Sequence, residues 1–180
     1  MTTRARQALA DCEHALADFE AAANTEFQRS RWVAVMTLLR TVGLVLKAVD
    51  RPAADTWTQQ CIDAAWAELK VLKPEPRIFW EFIEAERYQV VHLYEIRAGV
   101  NITVRPVPEP LGYFLMMADD DDGFGWNPTT YDFRMRAGQF AGRDPLDLCR
   151  EAITFWRNYL DAIDQTGPKT AGKPRPGQRV

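Results

Sequence analysis

Histidine is scarce in this chain, with only His14 and His92 among 180 residues. Neither a Glu-x-x-His nor a His-x-x-x-His spacing occurs, which argues against a di-iron or zinc helical bundle. Cysteine is sparse too. Cys12, Cys61 and Cys149 lie far apart with no CxxC pair, so a disulfide framework is not expected, and the odd count fits buried free thiols in a reducing compartment. There is no GxGxxG and no P-loop, so nucleotide binding of those kinds has no support. No uninterrupted apolar run has the length of a bilayer crossing. The longest stretch, Trp32 to Val49, is broken by Arg40 and Lys47. The opening residues MTTRARQALADCEHALADFE hold charges without an apolar core, so no signal peptide is expected. The expectation is a cytoplasmic protein without membrane, metal or cofactor.

What is present describes a packed domain. The length suits one domain with a sizeable core. Six Trp and nine Phe argue against disorder, because such side chains bury large areas when packed. The net charge is −3, yet the last fifteen residues carry Lys169, Lys173, Arg175 and Arg179 with no acid. The body is therefore more acidic than the whole. An acidic body does not advertise general nucleic-acid affinity, but it leaves room for a local basic cleft.

Apolar residues recur at three- and four-residue steps through Leu9, Cys12, Leu16, Phe19 and Ala23, which predicts a first helix ending near Asn24-Thr25. A second helix is expected from about Ser30 to Asp50, apolar almost all round and stopped by Arg51-Pro52. Asp55 should cap a third helix that turns Trp57, Cys61, Ile62, Trp66 and Leu69 inward. Lys73-Pro74-Glu75-Pro76 breaks it. A fourth helix is expected from about Arg77 to Arg97, its apolar face made by Ile78, Phe79, Phe82, Ile83, Val90, Leu93 and Tyr94, with Gly99 marking its end.

Strand-like patterning follows. Val100 to Val104 and Gly112 to Met117 are strand candidates, separated by Pro106, Pro108 and Pro110, and Ala118 to Pro128 reads as a loop. Tyr131 to Arg136 alternates cleanly. Asp144-Pro145 then opens a last helix through Leu146, Cys149, Ile153, Trp156, Tyr159, Leu160 and Ile163, ended by Gly167-Pro168. The expected fold is mainly α: a bundle of about five helices with a small antiparallel β insert before the last helix. Residues 1–165 form a single helical domain, 99–143 its β-rich insert, and 166–180 a disordered basic tail. Trp32, Leu39, Val42, Trp66, Phe79, Phe82, Ile83 and Trp156 should lie in the core.

The string Arg87-Tyr88-Gln89-Val90-Val91-His92 puts an arginine and one of the two histidines on the fourth helix. Histidine suits proton transfer near neutral pH, and the planar fork of arginine suits charge on phosphoryl oxygens. Together they fit metal-independent cleavage of RNA, with the ribose 2′-OH as nucleophile. An arginine and a histidine on one helix equally suit a structural or solvated pair. At about 100° per residue, Arg87 and His92 fall about 140° apart on opposite flanks of the apolar face. A shared phosphate would then need a groove or a partner subunit. Glu86 falls near the centre of the apolar face and needs a partner or a raised pKa. An arginine from another helix is the expected partner, with Arg40 as one candidate, since Arg97 would reach Glu86 only if the helix bends.

The Arg87-YQVV-His92 string resembles the R-x(4–6)-H motif of the HEPN superfamily of helical bundles. The resemblance covers residues 5–98 and 144–165 and leaves the insert outside. It implies a metal-independent endoribonuclease of toxin or antiviral type, with Arg87 and His92 at a homodimer interface and Glu86 and Tyr88 in support. Tyr88 stands where that family often has a polar residue. The alternative is a non-catalytic helical module that binds a protein partner.

Other features read more blandly. Asp119 to Asp122 with Gly123 lacks the alternating ligands and distal Glu of a calcium loop, so a solvated turn is expected. Arg134 and Arg136 should share one strand face, with Tyr131, Phe133 and Met135 on the other; they are the expected RNA backbone contacts if RNA is the substrate. The three cysteines fall on inward stripes, which predicts packing and not nucleophilic work.

Overall fold

The computed structural model describes residues 1–21, 28–104 and 129–166. Five helices surround one aromatic core, and a two-stranded sheet precedes the last helix. Helix α1 spans Thr3–Ala21 and buries Leu9, Cys12, Leu16 and Phe19, the stripe that the sequence sets at helical spacing. Helix α2 spans Gln28–Val45 and is extended by a π-helical turn, Leu46–Asp50, and by Arg51–Ala53. The stop expected at Arg51-Pro52 comes at Ala53, one residue later. Pro52 has no N–H to give the preceding turn, which ends the ladder there. The chain leaves the helix at Ala54, which is extended.

By length and composition alone, Arg29–Ala53 is apolar enough to cross a membrane, despite Arg40 and Lys47. In the fold its Trp32, Val35, Met36, Leu39, Val42 and Leu46 are buried among the other helices. The helix is not buried all round, because Leu44 and Val49 are exposed.

Asp50 ties α2 to α1. Its buried carboxylate accepts the backbone N–H groups of Arg4 at 3.0 Å and Ala5 at 2.8 Å. First-turn amides have no partner within their own helix and favour negative charge. Asp50→Ala should therefore lower the unfolding free energy by about 2 kcal/mol, measured by urea denaturation. An unchanged midpoint would mean that water serves these amides equally well.

Helix α3, Thr56–Val71, is capped as expected: Asp55 accepts the Thr58 amide at 3.0 Å and its hydroxyl at 2.7 Å. Ile62 and Leu69 are buried, and Cys61 and Trp66 half-buried. Trp57 is half-exposed instead of inward. It sits in the first turn at the end of the bundle, where its indole N–H bonds the Thr166 carbonyl at 2.9 Å.

The fourth helix, α4, is built from Ile78–Glu84 in π form, Ala85–Tyr88 in α form and Gln89–Leu93 again in π form. Ile78, Phe79, Phe82, Ile83 and Val90 are buried as expected, while Leu93 and Tyr94 are exposed. The helix stops well short of Arg97. Tyr94 adopts the left-handed conformation, φ 53, and its N–H and that of Glu95 both reach the Gln89 carbonyl. Arg29 holds this turn, donating to the Tyr94 carbonyl at 2.9 Å and stacking on its ring at 4.3 Å.

Strands β1, Ala98–Val104, and β2, Thr129–Met135, pair antiparallel, with Ala98 opposite Met135 and Val104 opposite Thr129. Met135 is buried and Phe133 half-buried, as the alternation requires. The expected Gly112–Met117 strand, the proline connector, the Asp119–Asp122 run and the tail from residue 167 onward lie outside the described residues. Helix α5, Pro145–Thr166, begins where Asp144 accepts the Leu146 amide at 2.8 Å. It buries Cys149, Ile153, Trp156, Leu160 and Ile163. Phe79 sits where α3, α4 and α5 meet, with the rings of Trp66, Trp80, Phe155 and Trp156 at 4.8–6.0 Å. Of the expected core residues only Trp66 is less than fully buried.

Candidate active site

The π turn at the end of α4 decides the geometry of the Arg87/His92 pair. Each residue of a π-helix turns the chain by less than an α-helical residue does, so residues five apart come nearly full circle and stack. Arg87 Nη1 accordingly lies 3.2 Å from His92 Nε2. The expected separation of about 140° assumed α geometry throughout, and this structure overturns it. No second subunit is needed to bring the two groups together. Arginine only donates, so a hydrogen bond between them takes His92 Nε2 as the acceptor. Arg87 is half-buried and His92 exposed, which leaves both groups open to a substrate.

Tyr88 packs beside the pair, its ring centroid 5.0 Å from that of His92. At 52% exposed it is not a core residue. Val91, Leu93 and Tyr94 are exposed on the same stretch. The pair therefore has exposed apolar and aromatic neighbours.

Glu86 faces the other way. It is 2% exposed, and its Oε1 is 3.7 Å from Arg97 Nη1. Arg40 is not its partner, because Arg40 Nε bonds Glu84 at 2.6 Å. Arg97 reaches Glu86 because the chain leaves the helix at Tyr94 and folds back into β1. Glu86 Oε2 has no hydrogen-bond partner among the described residues. Burial pushes the carboxyl up to about 7, against the opposing pull of Arg97 and with a small push from Glu95. Gly138, at φ +86, closes over this pair; a Cβ there would lie 3.2 Å from Arg97 Nη1.

The other expected site residues separate. Arg134 stands in β2 opposite Gly99 and is half-buried. Arg136 follows the strand, and its N–H donates to the Arg97 carbonyl at 2.6 Å. His14 is exposed on α1. Burial raises the Cys12 thiol to about 12 and Cys149 well above its ordinary range, so both are packing groups. Among the described residues no three His, Cys, Asp or Glu side chains gather as a metal site.

Among the described residues, cavities adjoin the core. One, about 540 Å³, is an apolar groove between α3 and α5, walled by Trp57, Cys61, Leu72, Phe155 and Tyr159. Another, about 260 Å³, lies between α1, α2 and the sheet and includes Arg29 and Arg136. Sequence reasoning missed Arg29 and Tyr94. A non-glycine left-handed helix end leaves no reliable mark in sequence, and Arg29 meets it from 65 residues away. Compared with protein-family models, curated proteins and solved structures, the chain finds no match in any of the three.

Proposed function

We propose that this protein is a HEPN-like, metal-independent endoribonuclease in which Arg87 and His92 form the reacting pair. The observation that carries the reading is the 3.2 Å approach of two exposed or half-exposed groups whose chemistries are complementary. Arg87 moves from His92 Nε2 onto the phosphoryl oxygens, and the freed Nε2 accepts the proton of the ribose 2′-OH as the 2′-oxygen bonds to phosphorus and the bond to the 5′-oxygen breaks. The imidazolium then returns that proton to the leaving oxygen. Arg87 spans the phosphoryl oxygens, where charge grows. The products are a 2′,3′-cyclic phosphate and a 5′-hydroxyl. Toxin or antiviral action in the cytoplasm is the setting this reading takes. A second copy of the chain is its natural partner, since a homodimer through the end of α4 would cover the exposed Tyr88, Val91, Leu93 and Tyr94.

The apolar groove between α3 and α5 favours a second reading, a non-catalytic module that binds a protein partner. Cleavage of labelled single-stranded RNA in excess EDTA separates the two. Wild type should cut, and Arg87→Ala and His92→Ala should not. No cleavage by folded wild type, or equal cleavage by all three, would leave the binding module.

A further inference from the structure

The groove between α3 and α5 is open to solvent and uneven in chemistry. Small residues, Cys61, Ala64, Ala65 and Ala162, line it from both helices and leave about 540 Å³ between them. Its walls are aromatic. Trp57 is 49% exposed, and the rings of Phe155 and Tyr159, both half-buried, stand 5.7 Å apart. Glu68 is the one charged residue in this lining among the described residues. It is exposed, and no ion pair holds its side chain there. Aromatic walls beside a lone carboxylate suit an extended segment that carries prolines and cations. Proline packs on aromatic faces, and an ammonium or guanidinium group meets the acid.

Such a segment starts at the groove itself. Helix α5 ends at Thr166, one of the lining residues. The Thr166 carbonyl accepts the Trp57 indole N–H at 2.9 Å, and its hydroxyl donates to the Ala162 carbonyl at 2.7 Å. The last helical residue is thereby fixed at the groove mouth. The fourteen residues that follow, GPKTAGKPRPGQRV, hold Pro168, Pro174 and Pro176 with Lys169, Lys173, Arg175 and Arg179, and no acid. The rest of the chain is net acidic. Their reach is sufficient. Glu68 lies eleven residues beyond Trp57 on α3, about 17 Å at helical rise. Lys173, seven residues past Thr166, spans about 22 Å in an extended proline-type chain.

We propose that residues 167–180 dock in the α3/α5 groove of their own chain, with the prolines against Trp57, Phe155 and Tyr159 and with Lys173 and Arg175 at Glu68. The tether at Thr166 makes the contact intramolecular. Its effective concentration is then on the order of millimolar, so contacts that are weak one by one suffice. A foreign partner has to displace the tail to enter the groove. The assignment does not rest on the ribonuclease reading, whose pair lies on α4.

The test is NMR relaxation of the backbone amides in the full chain. Ala171, Lys173 and Arg175 should show order parameters above about 0.7, against below about 0.6 for a free segment. Glu68→Lys, an exposed position on α3, should lower them into the free range. Lys173→Glu with Arg175→Glu, a change confined to the tail, should do the same. Combining all three substitutions restores opposite charges and should return the order. Circular dichroism checks that each variant is folded. Dilution by about tenfold should leave the wild-type values unchanged, because an intramolecular contact does not depend on protein concentration. The proposal is overturned if the wild-type amides are free, which would leave the groove to another protein. It is overturned equally if they are held but indifferent to Glu68→Lys, or if dilution frees them, which would give the groove to the tail of a second copy.

Discussion

His92→Ala is expected to slow cleavage of single-stranded RNA by ~10²–10⁴-fold, the usual weight of one positioned acid–base group. Arg87→Ala should cost ~10²–10³-fold, the weight of one preorganised donor to the developing charge. Arg87→Lys should recover only part of that loss, because an ammonium is a point charge without the bidentate fork. An oligonucleotide with 2′-deoxyribose at the scissile position should resist all forms, since the nucleophile is gone. Structure supplies the control. Both side chains lie in the last turns of α4, Arg87 half-buried and His92 exposed, so their removal should leave the melting temperature unchanged or raise it. A marked fall in melting temperature, with activity lost in proportion to folding, would assign the pair a structural role instead.

Glu86→Gln is expected to stabilise the protein by about 3 kcal/mol at pH 8, the free-energy equivalent of a carboxyl held at about 7 against an ordinary 4.5. The sign follows from linkage. The folded chain holds the Glu86 proton up to about pH 7, whereas the unfolded chain releases it near 4.5. The contribution of Glu86 to stability is therefore fully present below pH 4.5, is lost as pH rises towards 7, and stays lost above it. Glutamine fills the same space without a charge to desolvate. Urea unfolding of wild type and Glu86→Gln from pH 4 to pH 8 should show the gap opening across that window. A variant less stable than wild type at pH 8 would show that the 3.7 Å ion pair with Arg97 outweighs burial.

These two residues are neighbours in sequence and opposite in environment. Glu86 faces the core and Arg87 the surface. The sequence pattern foresaw the first, since Glu86 lies on the stripe of Phe79, Phe82, Ile83 and Val90. It did not foresee the partner, because Arg97 was assigned to a helix that ends before it. The same error left Leu93 and Tyr94 on the inner face, although both emerge into solvent. Periodicity reports which side chains are apolar, not the turn in which the hydrogen-bond ladder shifts by one residue.

What the sequence by itself determined was the number and order of helices, a small antiparallel insert before the last helix and nearly all of the core. Spacing of apolar residues, the Asp55 and Asp144 caps and the proline breaks are local and strong enough to set these. It also determined which residue types were available for proton transfer and phosphate contact. Tertiary structure decided whether they meet. The π turn brings Arg87 to His92 across five residues. The left-handed Tyr94, held by Arg29, sends Arg97 back to Glu86. The hydrogen-bond shift of the π turn leaves no mark in apolar spacing, and the Tyr94 turn depends on a contact between segments distant in the chain, whose energy no local pattern encodes.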